Sequence, residues 1–255
     1  MIANKKERIC ALLKAIETGD TKAVSVVNED QYVQHNPQTH EGSEGLAVLF
    51  KRLSKTSPRV NIVRVFEDGD YVFAHTEYDF STRNIGFEIF RFEDNQAVEH
   101  WDNIQKRLGP NSSEHTMVDG ITESSEYEKT EINRAVIQSF VENVLINGQY
   151  KKLNEYMNRG EYTEHNPRLG DDLVDFETIL SNPVSGGTTS IKYEKCHHIL
   201  AEGNFVLSVC EGYVNQIHSS FFDLYRVKDG KISEHWDTTE AIPLRSEWKN
   251  NNGKF

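Results

Sequence analysis

The tetrad Glu99-His100-Trp101-Asp102 recurs as Glu234-His235-Trp236-Asp237. Upstream of each stands a second shared motif, Tyr32-Val33-Gln34-His35-Asn36-Pro37 in one case and Tyr162-Thr163-Glu164-His165-Asn166-Pro167 in the other. The His-Asn-Pro copies lie 130 residues apart (35 to 165), and the His-Trp-Asp copies 135 (100 to 235). Two motifs in one order at nearly constant offset mean two copies of one domain in tandem. The repeats are expected at 1–112 and 128–255. Residues 109–126 form a polar boundary, and the linker is set at 113–127.

The 255 residues give each copy enough chain to bury its own core. A formal charge of −12 argues against nucleic acid or an anionic membrane as partner, because both are bound by basic patches. No apolar run reaches the ~18 residues of a membrane span, and Met1 to Arg8 lacks the apolar core of a signal peptide. Cys10, Cys196 and Cys210 are too scattered for a disulfide framework, so reduced thiols and a cytoplasmic location are expected.

Within each copy the apolar spacing changes from helical to alternating. Residues 5–18 place Ile9, Leu12, Leu13 and Ile16 on one helical face, a short helix runs through Val24 and Val27, and a third covers 43–53 with Ser43 as candidate cap. Strands follow at Val60–Phe66, Tyr71–Phe80, Gly86–Phe92 and Ala97–Ile104, joined by turns such as Glu67-Asp68-Gly69-Asp70. The second copy repeats the pattern. Its helices run through Ile132–Val144, Tyr150–Met157 and around Phe176–Leu180, and its strands are Ile191–Leu200, Phe205–Tyr213, Phe221–Val227 and Ile232–Thr238. Helices first and sheet second imply an α+β fold, with helices over one face of a bent antiparallel sheet. Strand parity puts His100 and Asp102 on one face, and Glu99 and Trp101 on the other.

Tyr-x-x-His-Asn-Pro, a hairpin ending in Phe-x-Arg or Tyr-Arg, and Glu-His-Trp-Asp together resemble the SnoaL-like polyketide cyclases of the nuclear-transport-factor-2-like superfamily. The tandem arrangement, the segment His115-Thr116-Met117-Val118-Asp119-Gly120 and the tail from Trp248 to Phe255 resemble one subgroup, the predicted SnoaL-like aldol-condensation enzymes. The resemblance covers nearly the whole chain. It implies two cone-shaped units, each three helices on a curved sheet, paired as an internal pseudo-dimer. It also implies a cofactor-free intramolecular aldol reaction on a small hydrophobic carbonyl compound, driven by an acidic residue as general acid/base, with no metal. Carried over residue by residue, that acid is Asp102, with Asp237 as its second-unit counterpart.

Several side chains are candidates beside it. An aspartate between apolar walls would be pushed up toward neutral pH and could shuttle protons; the ordinary alternative is a carboxylate paired to Arg91 or Arg107. His100 (His235 in the second copy) could orient it or stabilise an enolate, or be a core histidine bonded to backbone. His35 and His165 stand at the proline turn with Asn36, whose simplest role is a local turn. His75 aligns with Val209 when counted from the hairpin glycines Gly69 and Gly203, which favours the first copy as the active one. Tyr32, Asn36, Glu77, Phe73 and Phe90 are expected to line the substrate site. His35, His75 and His100 lie on separate elements without short ligand spacing, so no metal site is expected. Two other mechanisms of the superfamily find little support. An Asp-Arg-Asp set would need Arg91, whose parity is opposite to Glu88 and Phe90. A tyrosine with two acids could use Tyr32, Glu77 and Asp102. A protein without catalysis, holding a ligand or pairing sheets through Trp101 and Trp236, is the alternative.

Overall fold

The computed structural model describes residues 4–181 and 190–255; the side chains of Thr21, Ser43 and Glu44 lie outside the described set, so the Ser43 cap is not addressed. The chain divides into two units of packing, Met1–Arg107 with Pro243–Phe255, and Leu108–Ile242. These are not the sequence repeats. The segment after the first sheet belongs to unit 2, and the C-terminal segment belongs to unit 1.

Unit 1 opens with α1 (Lys5–Thr18). Asn4 accepts from the Glu7 backbone N–H at 2.8 Å while Glu7 accepts from the Asn4 N–H, and Gly19 ends the helix in the left-handed region at φ 70°. The helix buries Ile9, Leu12, Leu13 and Ile16, each worth roughly 1.5–3 kcal/mol relative to exposure. A 3-10 turn (Thr21–Val26), β1 (Val33–Gln34) and α2 (Gly42–Leu53) follow. Then come β2 (Arg59–Asp68), β3 (Tyr71–Asp79), β4 (Arg83–Glu93) and β5 (Gln96–Lys106). The sheet order is β1-β5-β4-β3-β2, an antiparallel meander with β1 added parallel to β5. The tight β4–β5 turn has both central residues, Asp94 and Asn95, at positive φ, which matches the right-handed strand twist.

Unit 2 repeats this plan. α3 (Thr130–Phe140) runs into a wider turn over Val141–Ile146, followed by α4 (Leu153–Tyr156), β6 (Thr163–Glu164), α5 (Leu173–Ser181), β7 (Ile191–Glu202), β8 (Phe205–Val214), β9 (Ile217–Lys228) and β10 (Lys231–Ala241). The order β6-β10-β9-β8-β7 matches unit 1 strand for strand. The α+β architecture of two helix-covered sheets is as the apolar patterning implies. The two-residue strands β1 and β6 are the elements that patterning did not reveal. Among the described residues, no helix is long and apolar enough to cross a membrane.

Each sheet has an inner face under its helices. In unit 1, Ile9, Leu12 and Ile16 of α1 form one cluster with Val72, Ala74 and Tyr78 of β3 and Phe90 of β4. In unit 2, Ile137 and Phe140 of α3 cluster with Val206 and Cys210 of β8 and with Phe221 and Tyr225 of β9. On the opposite face of the unit 1 sheet lie Phe73 and Phe87, packed edge to face at 5.2 Å.

Candidate functional site

Strand register decides which side chains meet. In unit 1, Glu88 stands across from Asp102 and Phe90 across from His100, while Ala74 faces Glu88 and Thr76 faces Gly86. The inner face therefore carries His100, Asp102, Glu88, Phe90 and the even-numbered residues of β3. The parallel pairing of Gln34 with His100 brings Gln34 to the same face.

These groups form one hydrogen-bond network. The Asn36 backbone N–H donates to Gln34 Oε1 at 2.8 Å, which identifies that atom as the acceptor and so places a proton on His100 Nδ1, 2.9 Å from it. His100 Nε2 lies 2.8 Å from Glu88 Oε2, and the Tyr78 hydroxyl donates to Glu88 Oε1 at 2.6 Å. Tyr78 reaches across β4 because residue 86 is glycine; a Cβ there would stand 2.5 Å from the tyrosine ring. Asn36 performs two tasks. Its Oδ1 caps the local turn by accepting from Gln38 N–H, and its Nδ2 donates to Asp102 Oδ2 at 2.7 Å. The turn expected for Asn36 is present, but the residue is also what holds the aspartate. Asp102 Oδ1 faces Lys254 Nζ at 3.7 Å, and the same ammonium donates to the Asp102 carbonyl at 2.6 Å. The C-terminal segment is anchored nearby by Asn250, which donates to the carbonyls of Asn36 and Thr39, and by Asn252, which donates to that of Gln34. Tyr32 is buried beside Glu88 and Asp102, and that burial pushes its phenol well above the ordinary value.

Unit 2 builds the same frame with different charges. Asn166 caps its turn through Arg168 N–H and donates Nδ2 to both oxygens of Asp237 at 2.9 Å. His235 lies between two carboxylates, with Nδ1 3.0 Å from Glu164 Oε1 and Nε2 3.2 Å from Asp223 Oδ1. Glu164 also accepts from the Tyr162 hydroxyl and the backbone N–H groups of His165 and Asn166. Asp223 accepts from the Tyr193 hydroxyl at 3.2 Å. Here the tyrosine comes from β7, and Gly212 of β8 lets the β7 backbone come close, since a Cβ there would collide with the Lys192 carbonyl.

Electrostatics follow from that count of groups. Burial alone would strip the proton from His235, but the Glu164 and Asp223 carboxylates outweigh it and raise the imidazole well above the ordinary histidine value. Burial would likewise raise Glu164, but the His235 charge and its hydrogen bonds leave it below the usual carboxylate value. Asp237 is pushed up to about 7 by burial, with Asp223 and Glu164 adding to the rise against the His235 charge and the Asn166 hydrogen bond. Three buried carboxyls share one imidazolium, and one of them retains its proton near neutral pH. In unit 1 the corresponding inner groups are two acids, Glu88 and Asp102, with His100 and Lys254.

Several expected site residues lie elsewhere. His75 is on the opposite face from Asp102, where Nδ1 meets Arg64 Nη1 at 3.0 Å and the ring packs on Phe87 at 4.7 Å. The reason for favouring the first copy therefore does not hold. Phe73 and Glu77 share that opposite face; Phe73 packs on Phe66 and Phe87, and Glu77 pairs with Arg107 at 3.0 Å. His35 also faces away, stacked on Trp101 at 4.7 Å with Nε2 2.9 Å from Glu99 Oε1. His165 repeats this on Trp236 at 4.5 Å, with Nδ1 2.8 Å from Asp119 Oδ1. Arg91 bonds Glu99 on that same outer face at 2.7 Å, which removes the Asp-Arg-Asp arrangement, and the placement of Glu77 removes the Tyr32–Glu77–Asp102 one. Asp102, His100, Asn36, Tyr32 and Phe90 do share the inner face, as do Asp237 and His235. Phe90 packs on His100 at 4.4 Å.

Gln34, Glu88, Tyr78 and Lys254 in unit 1, and Glu164, Asp223, Tyr162 and Tyr193 in unit 2, complete the networks and were not anticipated. One signal was readable. Glu88 and Asp223 are single acids inside apolar strands and lie 135 residues apart, the offset of the His-Trp-Asp copies. The ligand-type atoms of Glu88, His100 and Asp102 fall within 4.8 Å of one another. The ammonium of Lys254 and the amide of Asn36 already attend Asp102, so this cluster carries its own cation.

Residues 9–100 match the family described as SnoaL-like domain, a stretch that takes in the Tyr32–Pro37 motif and ends at His100 inside the first Glu-His-Trp-Asp tetrad. No curated protein matches the chain. Among solved structures, similarity extends to one unit's worth of chain. IdmH from Streptomyces antibioticus, a suggested polyketide cyclase, is 17% identical at TM-score 0.34, covering 38% of this chain and 89% of its own. An epoxide hydrolase of the LEH-like type from M. tuberculosis is 18% identical at TM-score 0.34, covering 39% of this chain and 81% of its own. A nuclear-transport-factor-2-like protein of unknown function from Cytophaga hutchinsonii is 15% identical at TM-score 0.36, covering 41% and 95%.

Proposed function

We propose that this protein, whose residues 9–100 match a SnoaL-like domain and whose second unit repeats the motifs of the first, performs cofactor-free acid/base chemistry next to a carbonyl, and that the working site is the one in unit 2. The observation that carries the proposal is the Asp237 carboxyl, pushed up to about 7 by burial and by its acidic neighbours. A base of that strength exists in both protonation states at neutral pH, which is what abstracting and returning a proton α to a carbonyl requires. Asn166 fixes the orientation of the carboxylate. His235, held as a cation between Glu164 and Asp223, has both ring nitrogens engaged by those carboxylates, and its charge opposes the rise of the Asp237 carboxyl. The substrate class, a small hydrophobic carbonyl compound, is the one that the resemblance of the repeated motifs to SnoaL-like cyclases implies. Aldol condensation, cyclisation and isomerisation all begin with this proton transfer.

A second reading applies to unit 1. Lys254 accompanies Asp102 there, and an aspartate with its own ammonium suits a structural or ligand-holding role better than proton shuttling. One experiment addresses both. Small hydrophobic ketones are incubated with the protein in D2O, and exchange of their α-hydrogens is followed by NMR. Exchange is expected with the wild type, rising with pH through about 7 as Asp237 ionises. It should be lost in Asp237→Asn and retained in Asp102→Asn. Exchange that survives Asp237→Asn would overturn the assignment.

A further inference from the structure

Cys196 on β7 and Cys210 on β8 are direct register partners in an antiparallel pair. Both side chains belong to, or pack against, the same core cluster, so they project to the same face. Opposed residues in such a pair hold their Cα atoms about 4.5–5.5 Å apart, inside the roughly 4.4–6.8 Å that a disulfide spans. Both thiols are free, and their surroundings differ. Cys210 is fully buried. Cys196 is partly exposed and lines an open cavity of about 530 Å³, together with Arg134, Gln138, Lys195 and His197. Arg134 and Lys195 share the lining with Glu142 and Glu194, so the cavity carries both signs of charge. Cys196 donates its S–H to the His198 carbonyl at 3.4 Å, and the two thiols sit close enough to perturb each other's ionisation. The thiol that a small oxidant entering the cavity reaches first is Cys196, and the one behind it is the buried Cys210. In unit 1 the corresponding positions are Ile62 opposite Thr76, so the arrangement belongs to unit 2 alone.

We propose that Cys196 and Cys210 form a hydroperoxide-oxidation site, with Cys196 as the thiol that is attacked first and Cys210 as the one that closes a cross-strand disulfide. The Cys196 thiolate attacks the terminal oxygen of a small hydroperoxide. An S–O bond forms, the O–O bond breaks, and the departing hydroxide or alkoxide takes up a proton. Sulfur is oxidised by two electrons to the sulfenic acid, and the peroxide is reduced to water or an alcohol. The Cys210 sulfur then attacks Cys196 sulfur, the S–S bond forms, the S–O bond breaks, and the hydroxyl leaves as water with the proton of Cys210. The net change is two thiols and one hydroperoxide giving a disulfide, an alcohol or water, and a water. A thiol reductant reverses it.

The test treats the full chain with hydrogen peroxide and maps its cysteines by mass spectrometry. The expected product is lighter by two hydrogens and yields a Cys196–Cys210 cross-linked peptide that dithiothreitol separates. In Cys210→Ser the reaction should stop at a sulfenic acid on Cys196 that dimedone traps. In Cys196→Ser neither cross-link nor adduct at Cys210 should form. The proposal is overturned if Cys10, whose thiol burial raises, is labelled ahead of Cys196. It is also overturned if wild-type Cys196 proceeds to the sulfinic acid without linking to Cys210, or if methionines oxidise before either thiol. The wild-type map decides even where a variant folds poorly.

Discussion

The two units place the same aspartate, histidine and asparagine on the same strands and turns, yet they differ in what receives histidine Nδ1. In unit 1 it is the neutral amide of Gln34; in unit 2 it is the carboxylate of Glu164. They differ again beside the aspartate. Asp102 has the Lys254 ammonium at 3.7 Å, whereas no ion pair to Asp237 is found among the described residues. One substitution adds an acid to unit 2, and the C-terminal segment adds a base to unit 1. The comparison teaches that a repeated motif fixes geometry but not the set of charges gathered around it. For Asp237, burial and the acids Asp223 and Glu164 outweigh the His235 charge and the Asn166 hydrogen bond.

That contrast can be broken at several points. The largest effect is expected for His235→Ala, which leaves Glu164 and Asp223 buried without their shared cation and should cost roughly 3–5 kcal/mol of stability in a denaturant titration. His100→Ala, which orphans one carboxylate, should cost less; equal losses would mean that the extra acid in unit 2 does not matter. Asp237→Asn should act in the opposite direction. A carboxyl whose folded value is raised contributes stability below its ordinary value near 4, and that contribution is lost as pH rises through about 7. The variant should therefore melt like the wild type at pH 4 and be more stable than it at pH 8 by roughly 2–4 kcal/mol, since each tenfold change in proton affinity on folding is worth about 1.4 kcal/mol. A pH-independent difference would remove the charge imbalance from the account. Lys254→Met should cost roughly 1–3 kcal/mol, because the Asp102 carbonyl and carboxylate lose their donor, with no change in Asp237 as read by carbon-13 NMR. The smallest effect sharpens the comparison most. Glu164→Gln gives unit 2 the acceptor of unit 1, and the midpoint of the Asp237 titration should fall by about one pH unit once one of the acids opposing its ionisation is gone.

The fold was readable because helical and alternating periodicities are local. The face shared by His100 and Asp102 was readable for the same reason. Which face of β3 turns inward was not, since Val72, Ala74 and Tyr78 on one side and Phe73 on the other are all apolar and buried. Only the register with Glu88 resolves it, and that is a property of two strands. The roles of Gln34 and Glu164 depend on two-residue strands too short to leave any period. Lys254 meets Asp102 from 152 residues along the chain, a distance over which no motif carries information.

The exchange of terminal segments has a consequence for synthesis. Unit 2 is complete once Ile242 has been added, but unit 1 requires Pro243–Phe255. Chains normally fold their first domain while the second is still being made, at about 5–20 residues per second. Here the earlier-made sheet must wait roughly 7–30 s after Arg107 for the lysine that neutralises its aspartate. The half translated first is therefore the half finished last, and a ribosome that stalls within the second repeat leaves Asp102 buried without its counter-charge.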